Sequence, residues 1–145
     1  MIMGVLLILY EEHRNHKFVL YFIGSFGITY LINDFLLKHI FVRPRPFVTD
    51  LLLPNTSYVC PTDYSFPSTH AATAFAAATI LASFDPKRKY IYYLGAIIVS
   101  FSRIYLGCHY AADVLAGGLI GALISRFLLS LPLSYNRKRP SVHKK

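Results

Sequence analysis

Two histidines in the chain stand next to residues that could give them a catalytic role. His109 is followed one helical turn later by Asp113, and His70 comes directly after a Pro-Ser-Thr sequence. A carboxylate four residues further along a helix can reach the His109 ring and hold one tautomer, which leaves the other ring nitrogen free to attack. His70 would then be available to protonate the leaving oxygen.

Three basic residues, Lys38, Arg45 and Arg103, fall at the same ends of the predicted helices as these histidines. Without enough carboxylates to balance them, converging cations imply a multiply charged anion, and arginine forks match phosphate oxygens in pairs. Attack by His109 on phosphorus would leave a phosphohistidine, which water then hydrolyses. The cations would neutralise the equatorial oxygens, as magnesium does in other phosphoryl-transfer enzymes. The pattern therefore predicts phosphoryl chemistry with no metal ion and no other cofactor.

Each of these features has an ordinary structural explanation when it is taken alone. Basic residues at a helix end usually reach toward lipid head groups, and Pro-Ser-Thr is a common helix start. A histidine and an aspartate four residues apart can simply close a helix turn. Their combination favours function, because ionisable groups at a membrane interface are costly and usually serve a function.

The composition indicates which elements position these residues. Of 145 residues, 54% are hydrophobic and only 15% charged, against roughly 25% charged residues in soluble domains. Four long apolar segments cover 18–37, 71–84, 90–107 and 110–133, and a short apolar stub covers 1–10. Uncharged runs of about 10–14 residues also occur as buried core helices, but these segments have no polar face to turn toward water. We therefore predict a single all-α domain over 1–145, an integral membrane helix bundle of four full transmembrane helices plus an N-terminal partial helix.

The distribution of lysine and arginine predicts the orientation of this bundle. If each segment crosses once, the stretches 11–17, 85–89 and 134–145 share one side and hold ten of the fifteen basic residues. Positive residues favour the cytoplasm. The loop 43–68 and the histidines would then face outward in a multi-pass protein of the cytoplasmic membrane. The basic tail at 134–145 would bind anionic lipid rather than nucleic acid.

The two cysteines of the chain, Cys60 and Cys108, both fall on the predicted outer face. They could pair in an oxidising compartment. Cys108 could equally be a small packed residue beside His109.

Taken together, the motifs resemble the signature of the type 2 phosphatidic acid phosphatase family, which is K-x6-RP, PSGH and SR-x5-H-x3-D. The first motif matches from Lys38 to Arg45-Pro46, and the third matches from Ser102-Arg103 through His109 to Asp113. In the second motif, Thr69 stands in place of glycine. Its amide can still face a phosphate, so we expect activity to be retained.

This resemblance implies a membrane phosphatase that acts on lipid phosphates and diphosphates at the outer face. His109 would be the nucleophile, Asp113 its partner and His70 the acid. The phosphate ligands would be Lys38, Arg45, Ser68, Thr69 and Arg103. Family members commonly have six membrane helices, so we expect the first and most of the second to be missing from this chain.

We therefore expect hydrolysis of undecaprenyl diphosphate or phosphatidylglycerol phosphate through a phosphohistidine. One alternative is a phosphotransferase that passes the phosphate to a second lipid. Another is a non-catalytic membrane protein that binds lipid phosphates. The expected partners are the lipid substrate and the bilayer, with no nucleic acid and no obligate protein partner.

Overall fold

The computed structural model describes residues 16–49 and 60–132, and every regular element in these two ranges is helical. The prediction of an all-α chain is therefore confirmed for this part of the molecule. The α-helices are α1 (His16–Leu31), α2 (Lys38–Phe41), α3 (Pro46–Thr49), α4 (Thr69–Phe84), α5 (Lys89–Tyr105) and α6 (Ala111–Ser130). A π-helical segment, Ile32–Leu37, joins α1 to α2, and a 3₁₀ turn, Pro86–Arg88, precedes α5.

The four predicted apolar segments correspond to α1 with its π-helical extension, α4, α5 and α6. Two stretches, Lys17–Thr49 and Ala111–Ser130, are long and apolar enough to cross a membrane by length and composition. Thr69–Phe84 is a shorter apolar helix. The predicted total of four crossings stays a prediction. The partial helix at 1–10 and the tail at 134–145 lie outside the described residues, as do positions 50–59 of the loop 43–68.

Large apolar side chains cover the outside of the bundle. Ile23, Leu115 and Phe127 are each more than 60% exposed, whereas Ser25 and Ser125 are buried and hydrogen-bonded to each other. Soluble proteins rarely leave so much contiguous apolar surface in water. Small polar residues at helix contacts are typical of helices that pack within a lipid environment.

Helix α6 packs against α4 through small residues. A Cβ atom at Gly117 would overlap the carbonyl oxygen of Ser68, and one at Gly121 would overlap the carbonyl oxygen of Ala72. One turn further on, the Ser125 hydroxyl donates to the carbonyl oxygen of Gly121. These small residues therefore let α6 and α4 approach closely, and the contact at Ser68 links α6 to the start of α4.

Candidate active site

The π-helical segment brings α1 against the start of α4. Asn33 is buried, and its side-chain amide donates to the carbonyl oxygen of Pro67 (3.1 Å) and to the Thr69 hydroxyl (3.0 Å). The Thr69 hydroxyl in turn donates to Asp34 at 3.0 Å. A π-turn changes the helical register, and here Asn33 and Asp34 both hydrogen-bond to the Pro-Ser-Thr segment.

Lys38 lies one turn after Asp34 and is only 4% exposed. Its ammonium group donates to Asp34 at 2.6 Å and also to the carboxylate of Asp63. A buried lysine keeps its charge only where opposite charges and hydrogen bonds compensate its lost hydration. The ammonium group is therefore held in place by two carboxylates.

Arg45 is 2% exposed and connects the loop after α2 to the turn before α6. Its Nε donates to the main-chain oxygen of Asp63 at 2.7 Å, and its Nη2 donates to the Asp63 carboxylate. Its Nη1 donates to the main-chain oxygen of Cys108 at 2.9 Å and lies 3.1 Å from Nε2 of His109. One guanidinium group thus contacts both a carboxylate and the predicted nucleophile.

The hydrogen bonds of His109 determine its protonation. Its Nδ1 lies 2.7 Å from the carbonyl oxygen of Ser65, which can only accept, so Nδ1 carries a proton. Its Nε2 faces Arg45, which can only donate, so Nε2 carries a lone pair. In this tautomer, Nε2 of the buried His109 ring has the electron pair that a nucleophile needs.

Asp113 differs from the sequence expectation in its contacts. Its carboxylate is 3.6 Å from Nδ1 of His109, which is longer than a hydrogen bond, while the Ser65 carbonyl is much closer. The same carboxylate accepts from Arg43 at 2.7 Å and from the main-chain N–H of Tyr110 at 2.9 Å. Asp113 therefore closes the first turn of α6 and holds Arg43, while Nδ1 of His109 donates its hydrogen bond to the Ser65 carbonyl.

The Pro-Ser-Thr segment starts α4 and touches the third motif. The Ser68 side chain accepts from the N–H of Ala71, as an N-cap does, and the Ser68 N–H donates to the main-chain oxygen of Asp113 at 3.0 Å. The Thr69 hydroxyl is turned toward Asn33 and Asp34. The main chain of Ser68 and the side chain of Thr69 thus fasten the start of α4 to its neighbours.

His70 and Arg103 complete the set of predicted residues. The side chain of His70 is exposed, and it lies within electrostatic range of Arg103 and His109. Arg103 is half-buried, and its Nε donates to the Ser102 hydroxyl at 3.1 Å. Among residues 16–49 and 60–132, the structure records no ion pair to a carboxylate for Arg103. Its charge is therefore free to meet an anion.

Sequence reasoning missed three groups of this site, namely Asp34, Asp63 and the Ser65 carbonyl. The spacing of Asp34 four residues before Lys38 is a signal that could have found it, because such pairs share one helix face. Asp63 and Ser65 lie in the long loop before α4, where no periodic pattern predicts which side chain turns inward.

A disulfide joins Cys60 to Cys108, across 48 residues of sequence. The alternative that Cys108 is merely a small packed residue is therefore excluded. The bond ties the loop that carries Asp63 and Ser65 to the residue before His109. It holds this part of the loop beside the predicted nucleophile.

The chemistry that this arrangement supports follows from its charges. An anion that bridges Lys38 and Arg45 would lie beside Nε2 of His109, with Arg103 available as a further cation. In the described ranges, no group of three or more histidine, cysteine or carboxylate side chains could hold a metal ion. Metal independence stays a prediction for experiment.

Comparison with known proteins agrees with the family resemblance of the three motifs. The model of the PAP2 superfamily matches residues 18–141. The chain is 37% identical over 117 residues to an undecaprenyl-diphosphatase of Sulfolobus acidocaldarius, covering 77% of this chain and 54% of that protein. It is 34% identical over 123 residues to undecaprenyl-diphosphatase BcrC of Bacillus subtilis, covering 83% of this chain and 60% of that protein.

A solved structure is also similar. It is the crystal structure of a transmembrane PAP2 type phosphatidylglycerolphosphate phosphatase from Bacillus subtilis. The TM-score is 0.61 at 30% sequence identity, over 81% of this chain and 60% of that one. The chain therefore spans between about half and three fifths of the length of these three proteins.

Proposed function

The chain belongs to the PAP2 superfamily, and from that premise we propose that it hydrolyses a terminal phosphate or diphosphate group on a membrane lipid. The observation that carries this proposal is the hydrogen bonding of the two ring nitrogens of His109. Its Nε2 holds a lone pair 3.1 Å from the Arg45 guanidinium, while its Nδ1–H is held by Ser65. A neutral imidazole beside buried cations is suited to attack a negatively charged phosphoryl group.

The reaction would proceed in two displacements. Nε2 of His109 forms a bond to phosphorus as the bond from phosphorus to the leaving oxygen breaks, and His70 supplies a proton to that oxygen where the leaving group needs one. Water then attacks phosphorus as the bond from phosphorus to Nε2 breaks, and His70 takes the water proton, which releases inorganic phosphate and restores both histidines. Lys38, Arg45 and Arg103 would carry the charge on the phosphoryl oxygens throughout, with the Ser68 and Thr69 segment as the remaining phosphate ligands.

The names of the relatives support two substrates. Two of them are undecaprenyl-diphosphatases, and a third, 33% identical over 110 residues, is phosphatidylglycerophosphatase B of Bacillus subtilis. We therefore propose undecaprenyl diphosphate or phosphatidylglycerol phosphate as the substrate.

We also propose that the chain is a multi-pass protein of the cytoplasmic membrane with four crossings and an outward-facing site. The exposed apolar faces of the helices support the membrane location. The concentration of lysine and arginine on the opposite side supports the orientation. The Cys60–Cys108 disulfide beside the site supports it independently, because such bonds persist in oxidising compartments.

The test is phosphate release by the purified protein in detergent micelles, across a panel of lipid phosphates and diphosphates. His109→Ala should lower turnover by about a thousandfold or more, because it removes the attacking atom. His39→Ala is the matched control, since His39 is exposed and its ring packs edge-on against the ring of Tyr64. It should keep wild-type turnover.

Further measurements test the mechanism and separate the alternatives. Chelators should leave turnover unchanged, and vanadate, which mimics five-coordinate phosphorus, should inhibit it. Transfer of phosphate to a second lipid would indicate a phosphotransferase, and binding without release would indicate a non-catalytic protein. Normal turnover in His109→Ala would refute the proposed mechanism.

A further inference from the structure

Asp63 lies where a bound phosphate would lie, between the two buried cations of the site. We propose that Asp63 is an internal competing anion, which every substrate must displace and which returns to expel the phosphate product. On this proposal, the phosphodiester head groups of bulk lipids cannot displace Asp63, whereas terminal phosphates and diphosphates can. The inference rests on the proposed function, because it concerns access to the same site.

The first support is the position of the carboxylate. One of its oxygens accepts from the Lys38 ammonium group and the other from Nη2 of Arg45. The other terminal nitrogen of that guanidinium, Nη1, is the one that faces Nε2 of His109. Because Lys38 and Arg45 are almost fully buried, an anion cannot use both cations in this way while Asp63 keeps its contacts.

The second support is that the side chain can leave while its backbone stays. The Asp63 side chain is 39% exposed, and it lies in a loop segment rather than in a helix. Its main-chain oxygen is held separately by Nε of Arg45. The disulfide at Cys60 and the bond from the Ser65 N–H to the main-chain oxygen of Arg43 (2.8 Å) hold the flanking residues. Rotation of one side chain therefore opens the site without unfolding the loop.

Asp34 provides a comparison within the same site. It also accepts from Lys38, but it is part of the π-helical segment and accepts a second hydrogen bond from Thr69. Moving its carboxylate away would break the hydrogen bond from Thr69 that ties the π-helical segment to the start of α4. Of the two carboxylates on Lys38, Asp63 is the one that can be exchanged for a ligand.

Displacement of Asp63 costs the same free energy for every ligand, so it does not change the ratio of their affinities. It lowers each apparent affinity by the same factor and thereby changes which ligands occupy the site at their actual concentrations. A phosphodiester carries one negative charge, whereas a phosphomonoester carries about 1.5 to 2. Weakly bound diesters, although abundant in a membrane, are then excluded, while more highly charged head groups still bind.

The experiment compares the wild-type protein with Asp63→Asn, which keeps the shape of the side chain and removes its charge. Binding of inorganic phosphate is measured by thermal shift, which needs no turnover, and as product inhibition of phosphate release. Phosphate should bind about tenfold to a hundredfold more tightly to the variant, the range expected when charge-assisted hydrogen bonds no longer have to be broken. Mixed micelles rich in phosphatidylglycerol should inhibit Asp63→Asn and leave the wild type uninhibited.

Asp85→Asn is the matched control. Its carboxylate accepts from Tyr92 and pairs with Arg88 in the turn between α4 and α5. Removing that charge should leave phosphate binding and lipid inhibition as in the wild type. Asp63→Ser provides a second neutral variant should the asparagine disturb folding.

Weaker or unchanged phosphate binding in the neutral variants would overturn the proposal, because Asp63 would then only orient Lys38 and Arg45. Inhibition of the wild type by phosphatidylglycerol would overturn it too, and that measurement requires no variant. The proposed function fails by a different result, namely a wild-type protein that binds phosphate but hydrolyses no lipid phosphate. In that case the binding comparison still decides the role of Asp63.

Discussion

At the scale of single residues, the site depends on charges that are shared rather than paired one to one. Arg45 contacts Asp63, the main-chain oxygen of Cys108 and His109 with one planar group. Lysine could not reproduce these bonds, because an ammonium group lacks the fixed fork of five donors. The guanidinium group can therefore bind an anion. It also donates to Nε2 of His109, which keeps the lone pair on that nitrogen.

The protonation of Asp63 follows from the same contacts. Burial raises the pKa of its carboxyl group. The hydrogen bonds and charges of Lys38 and Arg45 lower that pKa by a larger amount, so it lies below its usual value. A carboxyl group with a lowered pKa contributes stability above its unfolded pKa of about 3.9, and that contribution is lost as the pH falls through the folded pKa. Asp63 is consequently charged at neutral pH, and its competition with phosphate should be constant there.

The role of His70 can be tested by changing the leaving group. A phosphomonoester leaves as an alkoxide, which needs a proton, whereas a diphosphate leaves as a phosphate that is already stabilised. General acid catalysis contributes roughly 10²–10⁴-fold where it is needed. We therefore expect His70→Asn to slow single-turnover phosphate release far more on phosphatidylglycerol phosphate than on undecaprenyl diphosphate.

His39→Asn is the control for this comparison and should slow neither substrate. Single-turnover measurements are required, because slow breakdown of the phosphohistidine could hide the first step. Equal losses on both substrates would show that His70 positions phosphate and donates no proton.

At the scale of helices, the close contact between α4 and α6 positions two of the three motifs. Gly121→Ala would push a methyl group into the carbonyl oxygen of Ala72, so the helices must separate. Overpacking of this kind typically costs about 1–3 kcal/mol. We expect a lower melting temperature in detergent, measured by thermal unfolding.

Gly95→Ala is the matched control, because a Cβ atom at Gly95 in α5 meets nothing within 4 Å. Alanine is the better helix former, so this variant should unfold at the wild-type temperature or above it. A Gly121→Ala protein as stable as the wild type would mean that α4 and α6 lie further apart than described.

At the scale of the whole molecule, the proposed orientation can be tested with two introduced cysteines. Val48→Cys lies in an exposed position of α3, and Lys87→Cys lies in the exposed turn before α5. Because the native cysteines form a disulfide, neither should compete for a maleimide. A membrane-impermeant maleimide added to intact cells should label the cysteine at position 48 and leave that at position 87 unlabelled until the cells are opened. The reverse pattern would contradict the orientation inferred from the basic residues.

Local properties of the sequence were enough to predict the helices and several of the residues that meet at the candidate site. Apolar segments without a polar face predicted α1, α4, α5 and α6, since composition and length act over consecutive residues. The spacing of the motifs identified Lys38, Arg45 and His109 as candidates. In the structure, Arg45 contacts His109 directly, and the Asp63 carboxylate joins Arg45 to Lys38. The small residues Gly117, Gly121 and Ser125 of α6 can likewise be identified from the sequence as one helix face, because their spacing of four follows the helix period.

Only the tertiary structure decided which groups complete the site. Asp63 meets Lys38 across 25 residues, and the Ser65 carbonyl meets His109 across 44. No periodic pattern links such positions, because Asp63 and Ser65 lie in an irregular loop that has no repeat to predict which of its groups turn inward. The pairing of Cys60 with Cys108 is likewise a property of the tertiary structure. Asp113 is a further case, because its spacing places it one turn from His109, whereas its carboxylate accepts a hydrogen bond from Arg43 in the structure. Spacing along a helix limits which groups can meet, and the competition among all nearby donors and acceptors decides which of them do.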